Sequence, residues 1–382
     1  MLSGATARLF VAFFFGQAGF NIYWAALPLY FAALGFDPTL IGLLVGAAGA
    51  AELFGALAVG PAIDRLGART MLLTGLACYV VASLGYLAFT PVAALLVIRL
   101  IQGVGLAAVI PSTYSFVPHL VKASRQTVAF ASIGAGGNVA QALFPAFGLT
   151  LLERSPNAFF GVAAACAAVA GLIVATVPAP PASQRPFALT FQRGWLMPLG
   201  VGILSVTQWG VITAFLPLAA AEQHANPALL FTADAVAVLA SRVPAGWIAD
   251  RYGPLRLALV GVVCMALSPL VLLLPLNDGV LITAGLLNGA GAGLTLPPML
   301  AQLSKRSDET RRGTALAYFS VSFAVGIILG SSVGGVLYPW LQFNGLLVVG
   351  AVLCLGAVIV LLADAIVWRH PVSAAKVPGY TP

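Results

Sequence analysis

Gly60–Arg69 reads GPAIDRLGAR, and Gly246–Arg256 reads GWIADRYGPLR. Each is a short basic break between long apolar runs, and the two are one break written twice: Asp64-Arg65 falls on Asp250-Arg251 when the chain is shifted by 186 residues. The same shift lays Gly60 on Gly246, Gly67 on Gly253, Gln102-Gly103-Val104-Gly105 on Asn288-Gly289-Ala290-Gly291, Pro111 on Pro297, Arg125 on Arg311 and Gly148 on Gly334. A single offset that serves three pairs of apolar runs argues for an internal duplication, not for a chance likeness of glycine-rich helices.

The runs around these breaks decide the class of protein. Of the 382 residues, 60% are hydrophobic and 8% are charged, whereas an average soluble domain is roughly a quarter charged. Such a chain cannot build a polar shell. Its apolar runs exceed the ~18 residues that cross a bilayer, and they do not alternate as barrel strands do. Lipid offers backbone amides no partner, so the spans are helices. Breaks between runs place twelve of them, near 8–33, 38–62, 69–89, 92–118, 124–152, 156–177, 194–222, 226–249, 255–275, 278–302, 311–337 and 340–365. The expected fold is an all-α membrane protein of twelve transmembrane helices in two six-helix, pseudo-symmetric halves. Residues 1–177 form the first bundle, 178–193 a linker, 194–368 the second bundle and 369–382 a loose tail.

With the N-terminus in the cytoplasm, fifteen Lys and Arg residues fall on the inner side and Arg154 alone on the outer, which is the bias that orients membrane proteins. This accounts for the net charge of +7 by attraction to the anionic inner leaflet and not to a nucleic acid. Both termini are expected inside, in a bacterial-type inner membrane, and nothing in the chain demands more than a monomer. Cys78, Cys166, Cys264 and Cys354 each stand alone in an apolar run, a spacing that suits packing and neither disulfides nor metal. His119, His224 and His370 sit near span ends or in the tail and read as interfacial.

The two breaks resemble the loop of the major facilitator superfamily, Gly-x-x-x-Asp-Arg-x-Gly followed by basic residues. The resemblance runs over the whole chain and implies a cytoplasmic gate made of Gly60, Asp64, Arg65, Gly67 and Arg69 in one half, and Gly246, Asp250, Arg251, Gly253 and Arg256 in the other. RLIQGVG, Arg99 to Gly105, resembles the family's motif in the fourth span, whose arginine is often tied to proton coupling. GIILGSSVGG, Gly326 to Gly335, is close to the glycine–proline motif of antiporters, with Ser331 where proline stands; the corresponding AQALFPAFGL, Ala140 to Leu149, keeps Pro145 and Gly148 but lacks the earlier glycines.

Inside the membrane, Gln17, Asn21, Trp24 and Pro28 recur at steps of four, three and four, which places them on one helix face. The resemblance puts spans 1, 4, 7 and 10 around a central cavity. The expected cavity residues are Gln17, Asn21, Trp24, Gln102, Asn138, Gln141, Gln208, Trp209, Asn288, Thr295 and Tyr318, a set of amides and aromatic faces suited to a small polar or amphipathic organic molecule. Ionisable residues at this depth are costly and functional by default. Four fall within spans and are the expected proton-coupling residues: Glu52, Arg99, Asp234 and Arg242. Glu52 lies twelve residues before Asp64, ~18 Å along the helix, near the midplane. A carboxylate there is either protonated or held ionised by a cation such as Arg99, so Glu52 and Arg99 are the expected proton switch of the first half, and Asp234 and Arg242 are expected to pair with other helices.

The chain lacks a phosphate loop ending in Gly-Lys-Ser/Thr, a metal-ligand spacing and a nucleophile–His–Asp set, so neither an ATPase nor another membrane enzyme is supported; no cofactor or metal is expected. The expected function is secondary transport of a drug-like molecule, sugar or metabolite by alternating access, leading with proton-coupled export. Uptake by symport or uniport is the alternative, and a membrane-embedded enzyme or a channel the remote one.

Overall fold

The computed structural model describes residues 4–122, 125–178, 191–307 and 312–367, and every long element among them is helical. The first half comprises α1 (Gly4–Asn21), α2 (Tyr23–Ala33), α3 (Pro38–Leu66), α4 (Ala68–Ala88), α5 (Val92–Leu120), α6 (Gln126–Arg154) and α7 (Pro156–Ala175). The second comprises α8 (Leu196–Glu222), α9 (Ala228–Tyr252), α10 (Pro254–Val271), α11 (Asp278–Lys305), α12 (Arg312–Ile328) and α13 (Gly334–Val367). Helix starts at the end opposite the Asp-Arg loops carry side-chain caps: Asp37 accepts from the Leu40 amide at 2.8 Å, and Asn277 from the Val280 amide at 3.1 Å, satisfying amides that the helix itself leaves open.

Three departures from regular helix shape the bundle. The first span breaks at Ile22, so α1 and α2 are separate helices. Between α12 and α13 the chain passes through a wide π turn, Leu329–Val333, and α13 itself kinks at Gln342, where φ is 55°.

Among the described residues, ten segments are long and apolar enough to cross a membrane, where the sequence led to an expectation of twelve. Part of the difference is a merger. The run Ala317–Ala365 is continuous over 49 residues and counts once. The segment 179–190, which holds most of the expected linker, and the tail 369–382 lie outside the described residues.

The duplication seen in the sequence returns as geometry. Gly67 and Gly253 make the one-residue turns α3–α4 and α9–α10 with φ of 87° and 91°, a conformation open to glycine at little cost. A methyl group on Gly103 would collide with the carbonyl oxygen of Ala48, and one on Gly289 would collide with that of Asp234, the residue 186 positions later. Gly105 faces Gly75 as Gly291 faces Gly261. These are close helix crossings that only glycine allows, the usual way helices approach in membranes. Gly103→Ala and Gly289→Ala are each expected to cost about 1–3 kcal/mol from overpacking, and by similar amounts because the crossings match. Thermal unfolding in detergent checks this; an unchanged melting temperature for either variant would refute the tight crossing.

Packing differs at the two ends of the bundle. At the end away from the Asp-Arg loops, one apolar core runs through both halves, from Phe31, Leu44, Tyr86 and Phe160 to Phe215, Phe231, Leu281 and Phe343. At the loop end the two main cores each stay within one half. One, around Leu9, Leu72, Phe116 and Val174, belongs to the first half; the other, around Trp195, Met265, Leu303 and Leu361, belongs to the second. The halves are thus sealed together at one end and separately packed at the other.

Candidate functional site

A cavity of about 400 Å³ lies between the halves. The α1–α2 stripe supplies Gln17, Asn21, Trp24 and Pro28 to its wall; α3 supplies Glu52, α5 Arg99 and Tyr114, α6 Asn138 and Gln141, α8 Trp209 and Thr213, and α9 Arg242. The sealed end is roofed by three rings from three helices: Trp24 lies edge-to-face against Trp209 at 5.5 Å between centroids, and Phe231 packs on both at 5.8 and 5.7 Å.

The expected Glu52–Arg99 pair is not formed. Arg99 donates to the carbonyl oxygens of Leu44 at 2.8 Å and Val45 at 2.6 Å, and to Gln102 Oε1 at 2.5 Å. Its charge is dispersed over backbone dipoles of α3, which fastens α5 to α3 and leaves no donor directed at a carboxylate. Glu52 sits seven residues beyond Val45, ~10 Å further along α3, and its carboxylate makes no hydrogen bond or ion pair with any described residue. An ion pair remote from the cavity joins Arg306 to Asp364 at 2.6 Å.

Asp234 is placed differently from both. It is 3% exposed and accepts from Asn288 Nδ2 at 2.6 Å and from Gln141 Nε2 at 2.8 Å. Gln208 Nε2 in turn donates to Asn288 Oδ1 at 2.5 Å. The chain Gln208–Asn288–Asp234–Gln141 therefore crosses from the second half into the first. Beside it, Thr232 Oγ1 donates to the carbonyl of Ala142 at 2.6 Å. Buried carboxylate oxygens persist in a dry site only when both find donors, and here neutral amides supply them.

Of the expected cavity residues, Gln102, Gln208, Asn288, Thr295 and Tyr318 do not line the wall. Gln102 is spent on Arg99, and Gln208 and Asn288 form the layer behind Asp234. Thr295 is buried against Gly261, and Tyr318 packs on Trp195 at 5.6 Å near the loop end. Conversely, Phe13, Phe20, Leu106, Ile110, Tyr114, Thr213 and Phe323 line the wall although the sequence reading did not select them. The signal was present: Phe13 extends the stripe of Gln17, Asn21 and Trp24 by one step, and Leu106, Ile110 and Tyr114 continue from Arg99 at steps of seven, four and four. Apolar types hid it.

At the loop end, Arg69 donates to the carbonyl of Val177 and Arg8 to that of Thr176 at 2.8 Å, capping the last turn of α7. Gly60, Asp64 and Arg65 lie in the last two turns of α3, and Gly67 follows it. Arg251 stacks over Tyr252 at 5.5 Å, Gly253 turns the chain, and Arg256 is exposed in the first turn of α10. The backbones of Gly246 and Asp250 are helical, and the surroundings of both lie outside what is described. No group of three or more metal-ligating side chains exists among the described residues.

A duplicated bundle of membrane-spanning helices around a cavity at the join of its halves is the build of a membrane transporter. The chain belongs to the Major Facilitator Superfamily, whose sequence profile matches residues 9–196 and 199–380. It is thus an integral, multi-pass transporter of small molecules and not an enzyme. It is 25% identical to the MFS-type transporter YceJ of Bacillus subtilis (strain 168) over 84% of this chain and 85% of that one. A shorter stretch, 41% of the chain, is 26% identical to the 3-(3-hydroxy-phenyl)propionate transporter of Escherichia coli (strain K12), of which it covers 38%; other short matches are to proteins named for multidrug resistance. The fold superposes on the nucleoside transporter NupG with a TM-score of 0.73 and 14% identity, over 96% of this chain and 100% of that one.

Proposed function

We propose that this protein is a proton-coupled secondary transporter that exports a small organic solute by rocking of its two halves about the cavity. The observation that carries the proposal is Glu52: a carboxylate on the wall of a cavity between the halves, with no counter-ion among the described residues. An acid so placed can hold a proton in one state of the cycle and release it in another, which coupling requires. The end-to-end asymmetry of packing fits alternating access, with the structure sealed at the end of the shared core. Export is supported by the glycine-rich passage Gly326–Gly335 and by the relatives named for multidrug resistance; an organic cargo is supported also by the name of the Escherichia coli relative.

In this reading the chain crosses the membrane twelve times. The 49-residue run Ala317–Ala365 is ~74 Å long at the helical rise, more than twice the ~30 Å of hydrocarbon, so it crosses twice and bends at Gln342. Helix α9 crosses with Asp234 turned to the partner half and Arg242 to the cavity. Residues 1–177 and 194–368 are then the six-helix halves, joined by a cytoplasmic linker, with both termini cytoplasmic in a bacterial-type inner membrane and the monomer as the working unit. The Asp-Arg loops stand at the cytoplasmic end as the gate, and the cavity faces inward in this structure.

Proteoliposomes loaded with a pH-sensitive dye test the coupling. A transported solute is expected to dissipate an imposed proton gradient with wild-type protein. Glu52→Gln is expected to lower solute-driven proton movement at least about tenfold, the scale on which loss of one acid–base group acts, while solute counterflow without a gradient survives. Proton-driven transport by Glu52→Gln at the wild-type rate would remove Glu52 from its role.

A further inference from the structure

We infer that the cavity is built for an organic anion with an aromatic body, and that Arg242 is the residue that holds its charged group. The inference rests on the transporter reading above and deepens it.

Arg242 and Arg99 share one cavity wall but are differently placed. Arg99 is 6% exposed, and its hydrogen bonds are taken by Leu44, Val45 and Gln102. Arg242 is exposed to the cavity and makes no hydrogen bond or ion pair with any described residue, although it stands ten residues before the end of α9, ~15 Å into the bundle. A cation at that depth with no hydrogen bond or ion pair from a described residue is costly, and an anionic ligand supplies one. A planar guanidinium is suited to a carboxylate because two parallel N–H groups meet its two oxygens.

The other charged groups facing this space leave Arg242 available. Asp234, on the same helix, is eight residues or ~12 Å away along the axis, sealed behind Asn288 and Gln141 and bonded to both. Among the described residues, Glu52 on α3 is the one carboxylate on the wall, and it forms no ion pair with Arg242. The wall thus carries two cations against one carboxylate, an excess that draws anions into a low-dielectric cleft.

The rest of the surface sets the body of the ligand. Phe13, Phe20, Trp24, Tyr114, Trp209 and Phe323 line the cavity, offering ring faces and edges for stacking. Phe231, which backs the Trp24–Trp209 roof, is eleven residues from Arg242, ~16 Å along α9, and a helical side chain leans toward the helix N-terminus, so the arginine shortens that gap. An acid with one ring on a short alkyl stem spans what remains.

The test uses three probes of one shape on the full chain purified in detergent: 4-phenylbutyrate, 4-phenylbutanamide and 4-phenylbutylamine, with binding read by calorimetry and tryptophan quenching. The acid is expected to bind about 10- to 100-fold more tightly than the amide, the range of a charge-assisted hydrogen-bonded pair, and the amine most weakly. Arg242→Gln is expected to bring the acid down to the amide's affinity without changing the amide's, which shows that the variant is folded; Arg242→Lys should retain part of the preference. Equal affinity for acid and amide, preference for the amine, binding of none of the three, or an intact acid preference in Arg242→Gln overturns the inference. Flux in proteoliposomes separates the two readings. Acid binding without flux would leave the ligand class standing and overturn transport; flux of the amine without acid binding would do the reverse.

Discussion

Leucine at Gly42 is expected to stop transport while leaving the chain folded. Gly42 lies on α3 where the first half meets the second at the sealed end. A side chain there would collide with the carbonyl oxygen of Ser331 and come 2.8 Å from the Phe215 ring and 2.9 Å from the Cα of Gly335. Two of these neighbours are backbone and cannot turn aside. The stripe continues: Gly46 abuts Ser331 and Ser332, and Gly49 abuts Ile328, so α3 lies flat along the π turn for two helical turns. Overpacking costs about 1–3 kcal/mol in a site that cannot relax, and leucine is the larger case. Here relaxation is available without unfolding, because the crowded surfaces belong to different halves and can part. A penalty of about 3 kcal/mol on the sealed state shifts the balance between conformations by about a hundredfold. Solute flux in proteoliposomes should therefore fall at least about tenfold. A cysteine at Thr213, on the cavity wall, should become reactive from the face opposite the Asp-Arg loops in a background lacking the four native cysteines. Wild-type flux, or protection of that cysteine as in the parent, would show that the α3 contact does not set the seal.

The second large effect is expected at Asp234, where two substitutions should part company. Asp234→Leu removes both acceptors from Asn288 and Gln141 and leaves their N–H groups in a dry site. Each donor stranded in this way costs about 1–3 kcal/mol, so the variant should melt markedly lower than wild type. Asp234→Asn keeps the shape. The amides of Asn288 and Gln208 can then reverse together, since Gln208 Oε1 is buried with no hydrogen-bond partner and can accept from Asn288. The asparagine variant should thus stay near wild-type thermal stability while losing the charge that ties α9 to α6. Size-exclusion thermostability of the two variants side by side checks this. A leucine variant as stable as the wild type would mean that the amides find other partners.

Much of this protein is written in its sequence, for reasons that are local. Lipid excludes any backbone group without an internal partner, so long apolar runs had to be helices, and the α3–α4 and α9–α10 turns fall at the paired glycines, Gly67 and Gly253. The shift of 186 residues lays Gly103 on Gly289, and in the structure the first meets Ala48 as the second meets Asp234, because both copies keep the same small residue where backbones cross. The stripe of Gln17, Asn21 and Trp24 announced its face through helical spacing alone.

Other features depended on which helices become neighbours, and no spacing within one helix encodes that. The sequence set Glu52 and Arg99 at compatible depths, yet Arg99 turned to the carbonyls of Leu44 and Val45, which lie closer and can each take a donor. Asn288 and Gln208 read as cavity amides, but the crossing at Gly289 draws α11 onto α9, and both amides serve Asp234. The side on which the bundle is sealed was likewise decided in three dimensions, by a shared core at one end and two separate cores at the other. Hydropathy along a single chain cannot tell these ends apart, because it does not record which apolar faces meet.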